Sequence, residues 1–131
     1  MNLDGVGFKS ISGADNDILC SSISKPEILE VVSQCGNSKC PGPDSYNFFF
    51  IKNNWDVIGK DIVKAILWFQ DTGFIPRGCN ASFIALVPKK ANPSNLNEFR
   101  PISLVRCIYK ILSKVLANRL KKVLSSVIDF N

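Results

Sequence analysis

The sequence contains no histidine among its 131 residues, and this absence removes several classes of site. Serine–histidine and cysteine–histidine nucleophilic catalysis both need an imidazole base, so neither is available to this chain. The five cysteines do not fall at the short spacings of zinc ligands, which excludes the usual Cys/His zinc sites. Because five is an odd number, we expect reduced thiols in an intracellular protein of the nucleus or cytoplasm, not a secreted one.

Long apolar runs and glycine-rich loops are missing as well. No stretch of about 18 apolar residues is free of charge, so we predict no transmembrane helix and no membrane partner. The first 17 residues lack the basic and apolar pattern of a signal peptide. Neither a G-x-G-x-x-G motif after a strand nor a Walker loop occurs, so the common nucleotide-binding folds are not predicted. Hydrophobic side chains nevertheless make up 46% of the chain, enough for one domain with a core.

Acidic residues are scarce in one third of the chain. Residues 89–122 hold nine lysines and arginines and a single acid, Glu98, whereas the whole chain has a net charge of +5. The rest of the chain is therefore slightly acidic. This uneven charge favours an anionic partner on one surface, and a merely solvated helix face is the alternative.

The basic third begins within a predicted strand–turn–strand–helix segment. Residues 82–87 form an apolar run of strand length, and Pro88 ends it because proline cannot donate to a strand ladder. A polar loop follows, and residues 102–105 form a second apolar stretch. From Cys107 onward apolar residues recur at helical spacing, which predicts a long amphipathic helix.

That long helix separates its cations into two groups. At about 100° per residue, Lys110, Lys114 and Lys121 fall in one sector, which could follow a nucleic-acid backbone. Arg119 falls instead within the apolar stripe. Its side chain must extend along the helix, pair with a carboxylate or face another domain. We assign Tyr109 to the core.

Two helices are predicted before this segment. Ser24 and Glu27 form a capping box that starts a helix ending near Gly36. A second amphipathic pattern covers residues 55–71. No alternation of strands and helices and no repeat occurs, so the order of elements favours an α+β fold.

Between these helices lie a turn and an aromatic segment. The proline- and glycine-rich residues 38–44 predict either a rigid turn or a functional loop. Asp44 and Ser45 can cap a short helical segment, residues 46–54, which contains three consecutive phenylalanines. We assign these phenylalanines to the core and not to base stacking.

Several separated blocks carry a resemblance to a known family. They are K-C-P-G-P-D at residues 39–44, P-K-K at 88–90, F-R-P-I-S-L at 99–104 and Y-K-I-L-S-K-V-L-A-N-R-L-K at 109–121. In their order and spacing they resemble the reverse transcriptase (RNA-directed DNA polymerase) of plant non-LTR retrotransposons, the long interspersed elements. The likeness covers residues 3–131. Arg106 departs from it, since relatives often have a small residue or asparagine there.

The resemblance implies a fold and a set of roles. It implies the helix-rich fingers portion of a right-hand polymerase, with a two-stranded hairpin before the long helix and the palm absent. Residues 1–23 would be a partly ordered lead-in and residues 24–131 the truncated fingers region. The partners implied are an RNA template, a DNA primer and a deoxynucleoside triphosphate, and the loop at residues 38–44 would lie near the template.

The resemblance also assigns individual cations. Lys89 and Arg100 would bind the incoming triphosphate, because the family's fingers hairpin closes over it. Lys90 is a weaker candidate, for the template or triphosphate, and joins Lys110, Lys114 and Lys121 as a contact to the nucleic-acid backbone. The structural alternative is that Arg100 pairs with Glu98 or Asp44 and only fixes the loop.

The sequence lacks the carboxylates that the family's chemistry needs. Nucleotidyl transfer uses two Mg²⁺ ions held by carboxylates of the palm. Asp129 is the single acid of residues 107–131, and no Asp-Asp pair occurs in the chain. We therefore assign no catalytic or metal-binding residue and expect the chain alone to be inactive. A non-catalytic basic nucleic-acid-binding module and a fragment that does not fold alone are the alternatives.

Overall fold

The computed structural model describes residues 10–128, which form five helices and a two-stranded sheet. The helices are α1 (Gly13–Cys20), α2 (Lys25–Gln34), α3 (Phe48–Asn53), α4 (Trp55–Thr72) and α5 (Cys107–Val127), and the strands are β1 (Ser82–Pro88) and β2 (Phe99–Val105). A short 3-10 turn, Leu96–Glu98, precedes β2. The predicted hairpin and long helix are thus present, while the assignment to polymerase fingers stays a proposal.

Helix α1 lies inside the predicted lead-in and was not anticipated. Residues 1–9 of that segment lie outside the described residues. Ser12 accepts a hydrogen bond from the Asp15 amide, and the Asp15 carboxylate accepts one from the Ser12 amide, which is a capping box. The sequence of this helix has only weak hydrophobic periodicity, and none of its residues is buried. Only the cap could have indicated it.

Helix α2 starts as predicted, and its end is held by a distant lysine. Ser24 and Glu27 form the expected capping box. At the other end, the Lys52 ammonium donates to the carbonyls of Ser33 and Cys35 at 3.0 and 2.7 Å and to Asn37 Oδ1 at 2.9 Å. A cation at the C-terminus of a helix satisfies carbonyls that have no partner within the helix.

Helix α3 corrects two expectations. Asn47, and not Asp44 or Ser45, caps it by accepting from the Phe50 amide at 2.9 Å. Phe48 is buried, but Phe49 and Phe50 are 56% and 40% exposed, so the core assignment of all three phenylalanines was wrong for two of them. Successive side chains on a helix point about 100° apart, so three consecutive phenylalanines cannot all face the core.

Helix α4 matches its prediction closely, and Gly73 ends it in the left-handed conformation, with φ at 67°. The core forms where α2, α3 and α4 pack with α5. Its buried residues are Ile23, Ile28, Val31, Val32, Phe48, Ile51, Ile62, Ile66, Cys107, Ile111, Leu112 and Val115. Tyr109 is 37% exposed, so its assignment to the core was wrong.

The hairpin stands apart from this core. Strands β1 and β2 pair antiparallel from Ser82 opposite Val105 to Pro88 opposite Phe99. Their side chains are exposed or half-buried along the whole ladder. Within residues 10–128, no helix is both long and apolar enough to cross a membrane.

Candidate nucleic-acid interface

The hairpin brings the two predicted triphosphate-binding residues to its turn end. Arg100 lies opposite Val87 in the antiparallel register. The Lys89 amide donates to the Glu98 carbonyl at 2.7 Å, which extends the ladder by one rung. Lys89 follows β1 directly, and Arg100 is the second residue of β2. Two cations therefore lie at the turn end of the hairpin.

Arg100 is exposed, and among the described residues its guanidinium makes no hydrogen bond or ion pair. Both carboxylates that the sequence offered as partners are engaged elsewhere. Glu98 pairs with Lys90 at 2.6 Å, and Asp44 accepts from the Cys107 amide at 2.7 Å. The alternative in which Arg100 fixes the loop through these acids is therefore not what the structure shows.

The turn of the hairpin is held by Glu98. Its Oε2 accepts from the Ser94 amide at 2.6 Å, while its Oε1 meets the Lys90 ammonium. The Lys90 hydrogen bond is the largest cause that lowers the pKa of Glu98. The Lys89 ammonium donates to the Asn97 carbonyl at 2.8 Å, which uses one of its three donors. Lys90 is thus an ion-pair partner within the turn, and its contact to nucleic acid stays a prediction.

The three lysines predicted on the helix surface have different surroundings. Lys110 is half-buried and donates to the Cys40 carbonyl at 3.0 Å. Lys114 and Lys121 are exposed. Lys110 and Lys114 line one groove beside α5, and Lys114 and Lys121 line a second groove, where Glu30 of α2 faces them. The three cations lie along one side of α5, as the helical spacing predicted. Glu30 of α2 lines the same groove as Lys114 and Lys121.

Arg119 is buried in a polar cage. Only 6% exposed, it donates to both Glu27 oxygens at 2.8 Å. It also donates to the carbonyls of Leu19, Ser21 and Ser22 at 3.3, 2.5 and 3.1 Å. These contacts join α5 to the start of α2, to the last turn of α1 and to the segment that follows α1. Arg119 hydrogen bonding is the largest cause that lowers the pKa of Glu27. Of the three possibilities for Arg119, pairing with a carboxylate is the observed one.

The proline–glycine loop is fixed against the start of α5. A Cβ on Gly42 would overlap the Val105 carbonyl and lie 2.8 Å from the Arg106 amide nitrogen, so only glycine fits without a shift. Asp44 accepts from the Cys107 amide and so caps a helix 63 residues away in sequence. The loop therefore has a structural role as a brace for the β2–α5 junction, and its predicted place near a template stays untested.

Two buried polar atoms in the described part of the chain have no hydrogen-bond partner, Asp44 Oδ1 and Arg106 Nε. Both residues line a cavity of about 360 Å³, together with Tyr46, Phe50 and Asp61. The Tyr46 and Phe50 rings stack at 4.8 Å beside it. Arg106 itself adopts an extended conformation before α5 and gives no side-chain cap, because Asp44 supplies the cap from outside.

The thiol at the start of α5 is buried. Cys107 is buried, and its Sγ donates to the Tyr46 carbonyl at 3.1 Å. Burial raises its pKa to about 11, with a smaller contribution from Asp44. A thiol with such a pKa is protonated at neutral pH and is a poor nucleophile. Cys107 therefore belongs to the core and not to a catalytic site.

Comparison with known proteins connects the chain to a transposon. No protein-family model matches it. It is similar to the transposon TX1 uncharacterized 149 kDa protein of Xenopus laevis, with 30% identity over 122 residues. That alignment covers 93% of this chain and 9% of the Xenopus protein, so the chain spans less than a tenth of its relative's length. The chain is thus similar, along almost all of its length, to part of a transposon protein.

Proposed function

We propose that this chain is the fingers portion of a retroelement RNA-directed DNA polymerase. It would position the RNA template, the DNA primer and the incoming deoxynucleoside triphosphate, with the chemistry supplied by other parts of a longer protein. The similarity to a transposon protein supports the retroelement origin. The order and spacing of the sequence blocks support the polymerase assignment.

The exposed guanidinium of Arg100 is the observation that carries this proposal. Glu98 and Asp44, the acids that the sequence offered as its partners, bind other groups, and Lys89 lies at the same end of the hairpin. The planar fork of an arginine matches two phosphate oxygens, while a lysine acts as a point charge. Pro101 follows and favours an extended backbone at Arg100, so its side chain is held on the strand surface. This pair of cations fits a triphosphate.

The residues that the structure describes do not form a magnesium site. In the complete family enzyme, Mg²⁺ held by palm carboxylates would activate the primer hydroxyl and stabilise the leaving group. Within residues 10–128, no group of three His, Cys, Asp or Glu side chains could hold a metal ion. No step of the transfer is assigned to these residues, and the role proposed for them is binding and orientation.

Titration with inorganic tripolyphosphate tests this role directly. We expect Arg100→Ala to weaken binding at least fivefold, measured by calorimetry, with an unchanged urea midpoint. Lys60→Ala is the matched control, because Lys60 is an exposed cation on α4, outside the proposed site. Equal affinities for both variants would reject the triphosphate assignment. Loss of stability in Arg100→Ala without loss of affinity would favour a structural role.

A non-catalytic nucleic-acid-binding module is the second candidate function. The exposed Lys114 and Lys121 favour it, since they lie on one side of α5 and, within the described residues, form no hydrogen bond or ion pair. If about three phosphates of a single-stranded RNA are neutralised at roughly −0.7 per contact, the log affinity for that RNA should fall with log salt with a slope of about −2. The combined change of Lys110, Lys114 and Lys121 to Gln should flatten that slope. A flat response in the unaltered chain would instead indicate a solvated face.

A further inference from the structure

Helix α5 has a second apolar face that the described structure leaves uncovered. Leu116, Leu120 and Leu124 are 40%, 50% and 46% exposed. They recur every fourth residue, so they form one ridge along the helix, about 12 Å long at 1.5 Å per residue. The core uses the adjoining face of α5, where Ile111 and Val115 are fully buried, and Leu112, four residues before Leu116 in the same row, is buried with them. The leucine ridge is therefore additional to the apolar stripe that holds the fold together.

A groove lies beside this ridge. Tyr109, Ser113 and Ala117 form the neighbouring row of α5, and two of these three side chains are small. Together with Phe48 and Val105 they line a groove of about 410 Å³. A leucine ridge next to a row of small residues is the surface into which a second helix packs, because the ridge of one helix fits the groove of the other.

The rim of this groove is basic. Lys39, Lys110 and Lys114 line it, and among the described residues that line it there is no acid. Lys121 continues the row of Ser113 and Ala117 along α5. The adjoining groove is lined by two acids, Glu30 and Glu27, and Glu27 is paired with Arg119. An occupant with carboxylates along one flank would therefore meet opposite charges over the length of the groove.

We propose that the leucine ridge and groove of α5 are the docking site for an acidic amphipathic helix of a partner protein. The partner's apolar residues at i, i+3, i+4 and i+7 would pack against the ridge, and its Glu or Asp flank would face the lysines. A second copy of this chain fits less well, because it would bring the same lysines to the interface. Nucleic acid fits less well too, because aliphatic leucines offer no stacking surface and no partner for phosphate.

A designed peptide tests the proposal with the 131-residue chain. The probe is a fluorescein-labelled helical 21-mer with leucines on one face and glutamates along one flank, and the control carries lysines in place of the glutamates. By fluorescence anisotropy we expect a Kd below about 100 µM for the acidic peptide and at least tenfold weaker binding of the basic one. Adding salt should weaken the acidic complex.

Two leucine variants test whether peptide binding depends on the leucine ridge or on any exposed leucine. Leu120→Gln should weaken acidic-peptide binding at least fivefold. Leu29→Gln should leave it unchanged, since Leu29 is a comparably exposed leucine, 44%, on α2. Circular dichroism would verify that both variants keep their helices. RNA–DNA hybrid binding should be the same in both, because the leucine ridge contacts no phosphate.

Three results would overturn the proposal. One is equal affinity for acidic and basic peptides. Another is a dimer in analytical ultracentrifugation that Leu120→Gln dissociates, which would make a second copy the occupant. The third is a loss of hybrid affinity in Leu120→Gln as large as its loss of peptide affinity, which would assign the face to nucleic acid.

Discussion

Replacing Arg119 by methionine should destabilise the fold far more than replacing any exposed cation. Methionine keeps most of the apolar stem but removes five hydrogen bonds, two of them to Glu27. Removal of one partner from a buried ion pair typically costs about 3–5 kcal/mol. The Glu27 side chain is 22% exposed and can regain some water, so we expect about 2–4 kcal/mol here.

Urea denaturation with matched variants measures this cost. Arg100→Met is the control, because Arg100 is exposed, and it should change the free energy of unfolding by less than about 0.5 kcal/mol. The double variant with Glu27→Gln should lose less than the sum of the two single changes, by about 1–3 kcal/mol, because the two residues share one interaction. A cost for Arg119→Met equal to that of Arg100→Met would refute the buried cage.

The stability advantage of Arg119 should also depend on pH. Arg119 holds the pKa of Glu27 below its ordinary value of 4.5. A carboxyl whose pKa is lower in the folded state stabilises the fold above the unfolded pKa, and this contribution disappears as pH falls through the folded pKa. The difference between the unaltered chain and Arg119→Met should therefore be constant near neutrality and shrink below about pH 4.5. A difference that does not change between neutral and acid pH would contradict the pairing.

Three further predictions concern the loop, the end of α2 and the buried thiol. Gly42→Ala should cost about 1–3 kcal/mol in urea denaturation because its methyl group would overlap backbone, whereas Gly36→Ala, with its nearest neighbours at 3.9 Å, should be nearly neutral. Lys52→Met should lower the free energy of unfolding by about 1–3 kcal/mol, because three hydrogen bonds are lost, and Lys60→Met should leave it nearly unchanged. Equal costs for the two variants would show that Lys52 does not cap α2. The Cys107 thiol, with its pKa of about 11, should react with iodoacetamide at pH 8 much more slowly than the two exposed cysteines, as followed by mass spectrometry, and comparable rates would show that it is not buried.

Local patterns in this sequence were sufficient to predict most of the helices and the hairpin. The capping box at Ser24 involves residues three apart, so the sequence shows both partners at once. The hairpin needed only two apolar runs separated by a polar loop, and Pro88 marks the end of β1 as expected. Gly73 likewise ends α4 by its own left-handed conformation. In each case the residues that fix the structure are close in sequence.

Interactions between distant residues could not be predicted in this way. Glu27 lies 92 residues from Arg119, and helical spacing showed only that Arg119 needed a partner. Asp44 looked like the cap of the next helix but caps α5, because the loop folds back on the β2–α5 junction. Phe49 and Phe50 are apolar yet exposed, since the faces of α3 are decided by what packs against them.

The most direct test of the proposed function compares two arginines in one experiment. Arg100 and Arg119 each give an Nε–H signal in a ¹⁵N–¹H correlation spectrum, and one is exposed while the other is enclosed by Glu27 and backbone carbonyls. On titration with tripolyphosphate, the Arg100 signal should shift in a saturable manner and the Arg119 signal should stay in place. An unmoved Arg100 signal at saturating tripolyphosphate would contradict the assignment of this hairpin to triphosphate binding.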